Sequence, residues 1–434
     1  MRLKSENTLQ GRAGTISAGS TKKTAGDAEN KTASAEVIPD RRPVVPVFAS
    51  VDWVFLGIVV LLCGTGLVML FSASVAQAER VLADPAYYVR NQAIYMLIAL
   101  AVAMVVWRIP LSRWERAGPW LLAFGLLLLV VVLIPGIGKS VNGSRRWLDL
   151  GLSFQPSEAF KLFLIVYLAG YLVRKGGLLR KALAIFIVPL AVAAAGAALL
   201  LLEPDFGAAF VVMLTAVVML FVAGARWLHL MAIASLLVPI GAILIWLAPY
   251  RLSRLMSFLD PWSDPYASGF QLTQALIAIG RGGWTGVGLG SSVQKMAYLP
   301  EAHTDFVFAV TAEETGFLGV VVVISLFAGL VWRCFSIARR AERLAQPFAA
   351  FVATGIGFWL GLQAAINIGA NMGVLPTKGI TLPLFSYGGS SMLIVGIACA
   401  LMMRIYREGS EQQTAESRRD VNARLYTAGS LHHA

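Results

Sequence analysis

Leu299–Phe306 reads LPEAHTDF and places Glu301, His303 and Asp305 within five residues. A long apolar run begins at Phe306. If that run crosses a membrane, these groups stand at its mouth. An ionisable group at a membrane boundary is costly and by default marks a functional site. The plainer reading is a solvated helix N-terminus, where carboxylates favour the dipole.

Other stretches add charge of both signs. Val141–Leu162 reads VNGSRRWLDLGLSFQPSEAFKL. Asn142-Gly143 is a turn signal. Arg145 and Arg146 offer planar forks suited to bidentate phosphate contact. Pro156 suits the first position of a helix, where its missing N–H costs nothing. Glu158 and Lys161 then share a face and can pair, either as functional groups or as an ion pair inside a bundle. Glu203-Pro204-Asp205 is a short turn with two carboxylates, for which a structural ion-pair network with neighbouring cations is the favoured role.

Arg251 and Arg254 lie three apart on an expected interfacial helix. Gly280–Gly290, GRGGWTGVGLG, looks like a phosphate-cradling loop but lacks the preceding strand and following helix that would make it one. It is expected to be flexible or close-packed, folded back toward the membrane, with Lys295 just beyond. Gly373–Ser391, GVLPTKGITLPLFSYGGSS, carries Lys378 and Ser386. Its four Gly and two Pro make a shaped loop. Non-helical backbone near membrane depth survives only where protein or a watery cavity satisfies it, so this loop should wall the same cavity as LPEAHTDF.

The elements that position these groups follow from composition. Of 434 residues, 57% are hydrophobic and only 14% are charged. Repeated runs of about 20 apolar residues are what a helix needs to cross a bilayer. Continuous rather than alternating runs argue against a membrane barrel. The fold class is therefore an all-α polytopic membrane protein of about ten transmembrane helices. Residues 1–50 read as a disordered tail, 51–403 as the membrane domain and 404–434 as a second disordered tail. Spans are expected at Trp53–Ser74, Asn91–Trp107, Trp120–Gly136, Pro156–Val173, Ala182–Leu202, Phe206–Ala225, Trp227–Ala248, Thr304–Trp332, Pro347–Gly369 and Ser390–Met403. A large extracytoplasmic loop joins the seventh and eighth. Cys63, Cys334 and Cys399 lie in or beside apolar runs, with neither disulfide nor metal-ligand spacing. No cleavable signal is apparent, and the first span would serve as a signal anchor.

The segments 108–116, 174–181, 226 and 333–343, with both tails, hold 25 of the 36 Lys and Arg. That side should be cytoplasmic, which puts LPEAHTDF on the outer face. The other 11 cations, Arg145, Arg146, Lys161, Arg251, Lys295 and Lys378 among them, run against the bias. They suggest an anionic ligand, although long loops are exempt from the rule.

Taken together, NGSRRW, QPSEAFKL, EPDFG, DPW, LPEAHTDFVFAV, EETG and LPTKGITLPLFSYGGSS resemble the SEDS family (shape, elongation, division and sporulation), over about Val51–Arg407. The resemblance implies polymerisation of lipid II into peptidoglycan glycan strands during cell division, with loss of undecaprenyl diphosphate. It implies Asp305 as the base and a class B penicillin-binding protein transpeptidase among other division proteins as partner. The implied location is the inner membrane at the septum, with both termini cytoplasmic. It implies no nucleic acid. The residues suit that chemistry. An inverting transfer that expels a diphosphate needs no leaving-group acid, only charge neutralisation and one base. Arg145, Arg146, Lys161, Arg251, Lys295, Lys378 and Ser386 are then candidates for substrate contact. Glu158, Glu203, Asp205, Glu301 and His303 would support them. A divalent cation (Mg or Mn) could assist, but the carboxylate spacing is not diagnostic. A lipid II transporter and a division scaffold are the alternatives. A transporter should carry charges near the midplane of several helices, whereas here only Glu313 and Glu314 depart from the clustering at helix ends.

Overall fold

The computed structural model describes residues 50–141, 144–149, 151, 153–178, 183–267, 269–296 and 299–431. The expected N-terminal tail and the Asn142-Gly143 turn lie outside them. Twelve α-helices are described: α1 Trp53–Leu82, α2 Tyr87–Arg108, α3 Leu111–Leu133, α4 Pro156–Lys175, α5 Leu183–Leu202, α6 Phe206–Val222, α7 Trp227–Trp246, α8 Pro249–Leu259, α9 Phe270–Gly282, α10 Val307–Arg343, α11 Pro347–Asn371 and α12 Gly389–Leu431. Among the described residues, nine are long and apolar enough to cross a membrane, and α6 is a tenth apolar helix of 17 residues.

Local chemistry sets the helix starts. Asp52 caps α1 by accepting from Phe55 N at 3.1 Å, and its other oxygen takes Arg333 Nε at 2.7 Å. Asp205 caps α6 through Ala208 N at 3.0 Å. Pro156 and Pro347 open α4 and α11, the two most enclosed of the candidate spans. Lipid-facing helices keep large apolar side chains outward, such as Leu97, Leu127 and Val238. This is the reverse of a soluble surface and what a bilayer requires.

Three expectations change. The segment before α4 is a small antiparallel sheet rather than a plain loop, of order β1 Gly138–Val141, β2 Ser144–Asp149, β3 Ser153–Phe154. Pairing of Ser140 with Arg145 and Lys139 with Trp147 satisfies backbone that a loop would leave open. The segment 249–303 contains, besides the expected helix with Arg251 and Arg254 (α8), a second helix, α9. Finally, α12 does not end at 403. Polar residues end the apolar run but not the helix, because Arg404–Glu408 (2.7 Å) and Arg407–Glu411 (2.8 Å) form ion pairs one turn apart. Gln412 also donates to Leu344 O at 3.1 Å.

Within α10 the backbone breaks at Gly316, with φ 67° and ψ −164°. The loop after α9, Gly283–Gly290, inserts there. Val287 N and Gly288 N donate to the carbonyls of Glu313 and Glu314, and a Cβ on Gly316 would meet Gly286 N at 2.3 Å. The loop is close-packed, as one of the two expected forms.

Candidate active site

Asp305 sits two residues before α10. Its backbone carbonyl accepts from Asn367 Nδ2 and Asn371 Nδ2, each at 2.9 Å. These amides are one turn apart on α11, so they form a two-pronged clamp. Asn371 Oδ1 also accepts from Ala309 N at 3.1 Å and ties the start of α10 to the same helix. On the other side, the Glu301 carbonyl accepts from the amides of Thr304, Asp305 and Phe306. Glu301 has φ 55°, which curls LPEAHTDF into a tight turn.

The backbone of Asp305 is fixed, but among the described residues no donor bonds its carboxylate. The side chain is half-buried, and a Cβ on Gly379 would stand 3.2 Å from its Oδ2. Burial, with the Glu301 and Asp205 carboxylates, pushes its pKa up to about 7, against the pull of Arg254 and Arg146. A carboxylate poised near neutral pH can exchange a proton with a bound hydroxyl.

The other residues divide by what already occupies them. Arg146 does not present its fork to a ligand. Nε donates to Glu203 O at 3.2 Å and Nη2 to Pro204 O at 2.6 Å, clamping the α5–α6 turn. Arg145, on the opposite face of β2, is exposed. Both Glu203 carboxylate oxygens are buried without a hydrogen-bond partner among the described residues, and burial pushes the pKa up to about 8, with Asp205 adding and Arg146 opposing. Glu203 is thus a neutral acid, not the member of an ion pair expected above.

Lys161 is buried. Its ammonium is 2.8 Å from Glu158 Oε1 and 2.8 Å from Gln363 Oε1, over the ring of Trp359. It belongs to a structural pair. A cavity of about 30 Å³ joins Glu158, Lys161, Asp205 and Gln155 to Gly379 and Thr381, so this pair backs the loop on which the Asp305 carboxylate rests. Lys378 and Arg251 both lie over the Phe206 ring, at 4.9 and 5.5 Å, beside the Glu203–Asp205 turn. Burial lowers the pKa of Lys378. Arg251 also donates Nη1 to Leu244 O at 2.9 Å, and Arg145 and Arg254 are exposed.

Two candidates fall elsewhere. Lys295 pairs with Glu314 Oε1 at 2.8 Å and Ser72 Oγ at 2.9 Å, while Arg281 reaches Glu313 at 3.4 Å. The carboxylates that broke the clustering are therefore neutralised within the α10 break. Ser386 Oγ accepts from Leu382 N at 3.0 Å and braces its own loop. His303 packs among Tyr88 and Tyr387, and burial lowers its pKa.

Sequence reading missed Arg254 as a site residue, along with Asn367 and Asn371. Two amides four apart in an apolar helix were the available signal for the last two. Among the described residues, no three His, Cys, Asp or Glu side chains converge to hold a metal ion.

Residues 52–411 match the family model FTSW_RODA_SPOVE, described as cell cycle protein. The chain is 54% identical over 355 residues to a protein of Nitrosococcus halophilus (strain Nc4) named probable peptidoglycan glycosyltransferase FtsW, covering 82% of this chain and 92% of that one. It is 52% identical to the protein of that name from Thioalkalivibrio sulfidiphilus (strain HL-EbGR7), covering 81% and 88%. Among solved structures, it resembles a chain from work on structural coordination of polymerization and crosslinking by a peptidoglycan synthase complex. That match has a TM-score of 0.70 and 32% identity, covering 83% of this chain and 98% of that one. It also resembles the rod shape determining protein RodA of Thermus thermophilus, with a TM-score of 0.62 and 30% identity, covering 84% and 99%.

Proposed function

The chain belongs to the FtsW/RodA/SpoVE family of cell cycle proteins, and from that premise we propose how it works as a peptidoglycan glycosyltransferase. It joins lipid II units into glycan strands at the outer face of the inner membrane. Asp305 is the base. The observation that carries this is a carboxylate held through its own backbone by Asn367 and Asn371 yet bonded by no donor among the described residues.

In the reaction, a sugar hydroxyl of one lipid-linked unit attacks the anomeric carbon of the other. The bond to the diphosphate breaks as the new glycosidic bond forms, with inversion. Asp305 takes the hydroxyl proton. The diphosphate leaves as an anion, and the exposed or half-buried cations Arg145, Arg251, Arg254 and Lys378 offset its charge. Arg146 acts through the α5–α6 turn and through its field on Asp305.

The excess of Lys and Arg on the opposite side supports a cytoplasmic location for both termini. A class B penicillin-binding protein is the expected partner, and the septum the expected site of action.

The test is polymerisation of lipid II by the chain purified with its cognate transpeptidase, the transpeptidase serine having been removed. Wild type should yield glycan polymer on a gel and Asp305→Ala none. Polymer from both would move the base elsewhere, with Glu301 next. Polymer from neither, in a folded complex, would point to lipid II transport and a flipping assay.

A further inference from the structure

A second cavity, of about 470 Å³, lies between the last turns of α1 and the loop that follows α9. It shares no lining residue with the recess beside Gly379. Its size is that of a small-molecule site. Val68, Phe71, Leu289 and Met296 line it and are exposed at the protein surface. Val68 and Phe71 belong to a helix long and apolar enough to cross a membrane, so this wall can pack against acyl chains.

Its polar groups make it more than a gap between acyl chains. Lys295, 4% exposed, has three ammonium protons. Ser72 Oγ and Glu314 Oε1 accept two of them. Among the described residues no acceptor is recorded for the third, and Lys295 lines the cavity. At the rim stand Arg80, whose guanidinium touches Met296 O at 3.4 Å, and Glu79 beside it, both exposed. One side of the cavity is thus apolar, and the other offers two cations and one solvent-facing carboxylate.

We propose that this cavity binds one aminophospholipid of the surrounding leaflet. An acyl chain lies along Val68, Phe71, Leu289 and Met296. The phosphate meets Arg80 and Lys295, and the amine meets Glu79. A phospholipid without an amine would leave Glu79 facing like charge. A polyprenyl diphosphate fits less well, because Glu314 and Glu79 already offset the two cations. The inference needs only the membrane location and is independent of the glycosyl-transfer chemistry.

The test uses native mass spectrometry of the full chain in mild detergent. It is titrated separately with dioleoyl-phosphatidylethanolamine, dioleoyl-phosphatidylglycerol and undecaprenyl phosphate. Wild type should retain one phosphatidylethanolamine in preference to the other two. Ala76→Trp, which fills the cavity, should abolish that retention, while Leu97→Trp on a distant lipid face should not. Glu79→Gln should cut the preference for phosphatidylethanolamine over phosphatidylglycerol by about fivefold, the scale of one exposed ion pair. Retention unchanged in Ala76→Trp, or equal binding of either other lipid by wild type, would overturn the proposal. Should Ala76→Trp fail to fold, the exposed Glu79→Gln decides alone, an unchanged preference counting against it. None of these results bears on glycan polymerisation, which has its own assay.

Discussion

The Asp305 carboxylate rests against Gly379: a Cβ at that glycine would stand 3.2 Å from Oδ2. A methyl there must push either the loop or the carboxylate by a few tenths of an ångström. The loop is the stiffer of the two, since Gln363 Nε2 and Asn367 Nδ2 bind its carbonyls at Thr381 and Ile380 at 3.0 and 2.7 Å. The carboxylate, with no donor among the described residues, should move. Gly379→Ala is therefore expected to lower kcat by about tenfold, within the range that small misplacements cost. Thermal stability should stay near wild type. Unchanged kcat in the polymerisation assay would show that the carboxylate position is not set by this contact.

The pH dependence follows from the same site. Asp305 works as a base only when ionised, and its pKa is raised to about 7. Polymerisation should rise with pH through about 7 and level off above it. After burial, the largest contributor to the raised value is the Glu301 charge. Removing that charge in Glu301→Gln should shift the rising limb to lower pH and leave the plateau comparatively high. A rate profile that stays put in Glu301→Gln would mean the limb belongs to another group.

The sequence made the membrane class and the LPEAHTDF turn plain, because apolar runs and clustered charge are local signals. It could not say which charges are already consumed. Lys161, Lys295 and Arg146 look equivalent along the chain. One is taken by Glu158 three residues away, but the others by partners such as Glu314 and the Glu203–Pro204 carbonyls, which only tertiary packing supplies. The clamp of Asn367 and Asn371 on Asp305 was hidden for the same reason. The sheet around Arg145 was missed because four- and six-residue strands next to a turn carry little period-2 pattern. The continuation of α12 was missed because hydropathy marks the membrane boundary, not the end of hydrogen bonding.

The pair of Lys161 and Glu158 should matter to stability more than to the chemical step. Both are buried, with Glu158 Oε2 lacking a partner among the described residues. Lys161→Met strands a buried carboxylate, and breaking such a pair typically costs about 3–5 kcal/mol. Adding Glu158→Leu removes the stranded charge, so the double variant should recover much of the melting temperature lost by the single one. A double variant no more stable than Lys161→Met would show that the two side chains do not act as a pair.

Glu203 carries the clearest stability signature. Its pKa rises from about 4.5 to about 8 on folding. Between those values the folded chain keeps a proton that the unfolded chain releases. Stability therefore falls as pH rises from about 4.5 to about 8, and this contribution is constant above that. Gln replaces the neutral acid with a group of the same shape that does not titrate. Glu203→Gln should gain melting temperature relative to wild type across that interval, and the gap should stop widening above pH 8. Arg146 bears on the same quantity with the opposite sign, since its charge lowers the Glu203 pKa. Arg146→Gln should carry the fall to higher pH and deepen it, besides freeing the two carbonyls it clamps. Parallel pH–stability curves for wild type and Glu203→Gln would mean that Glu203 is solvated as an ion, and the neutral-acid assignment would fall.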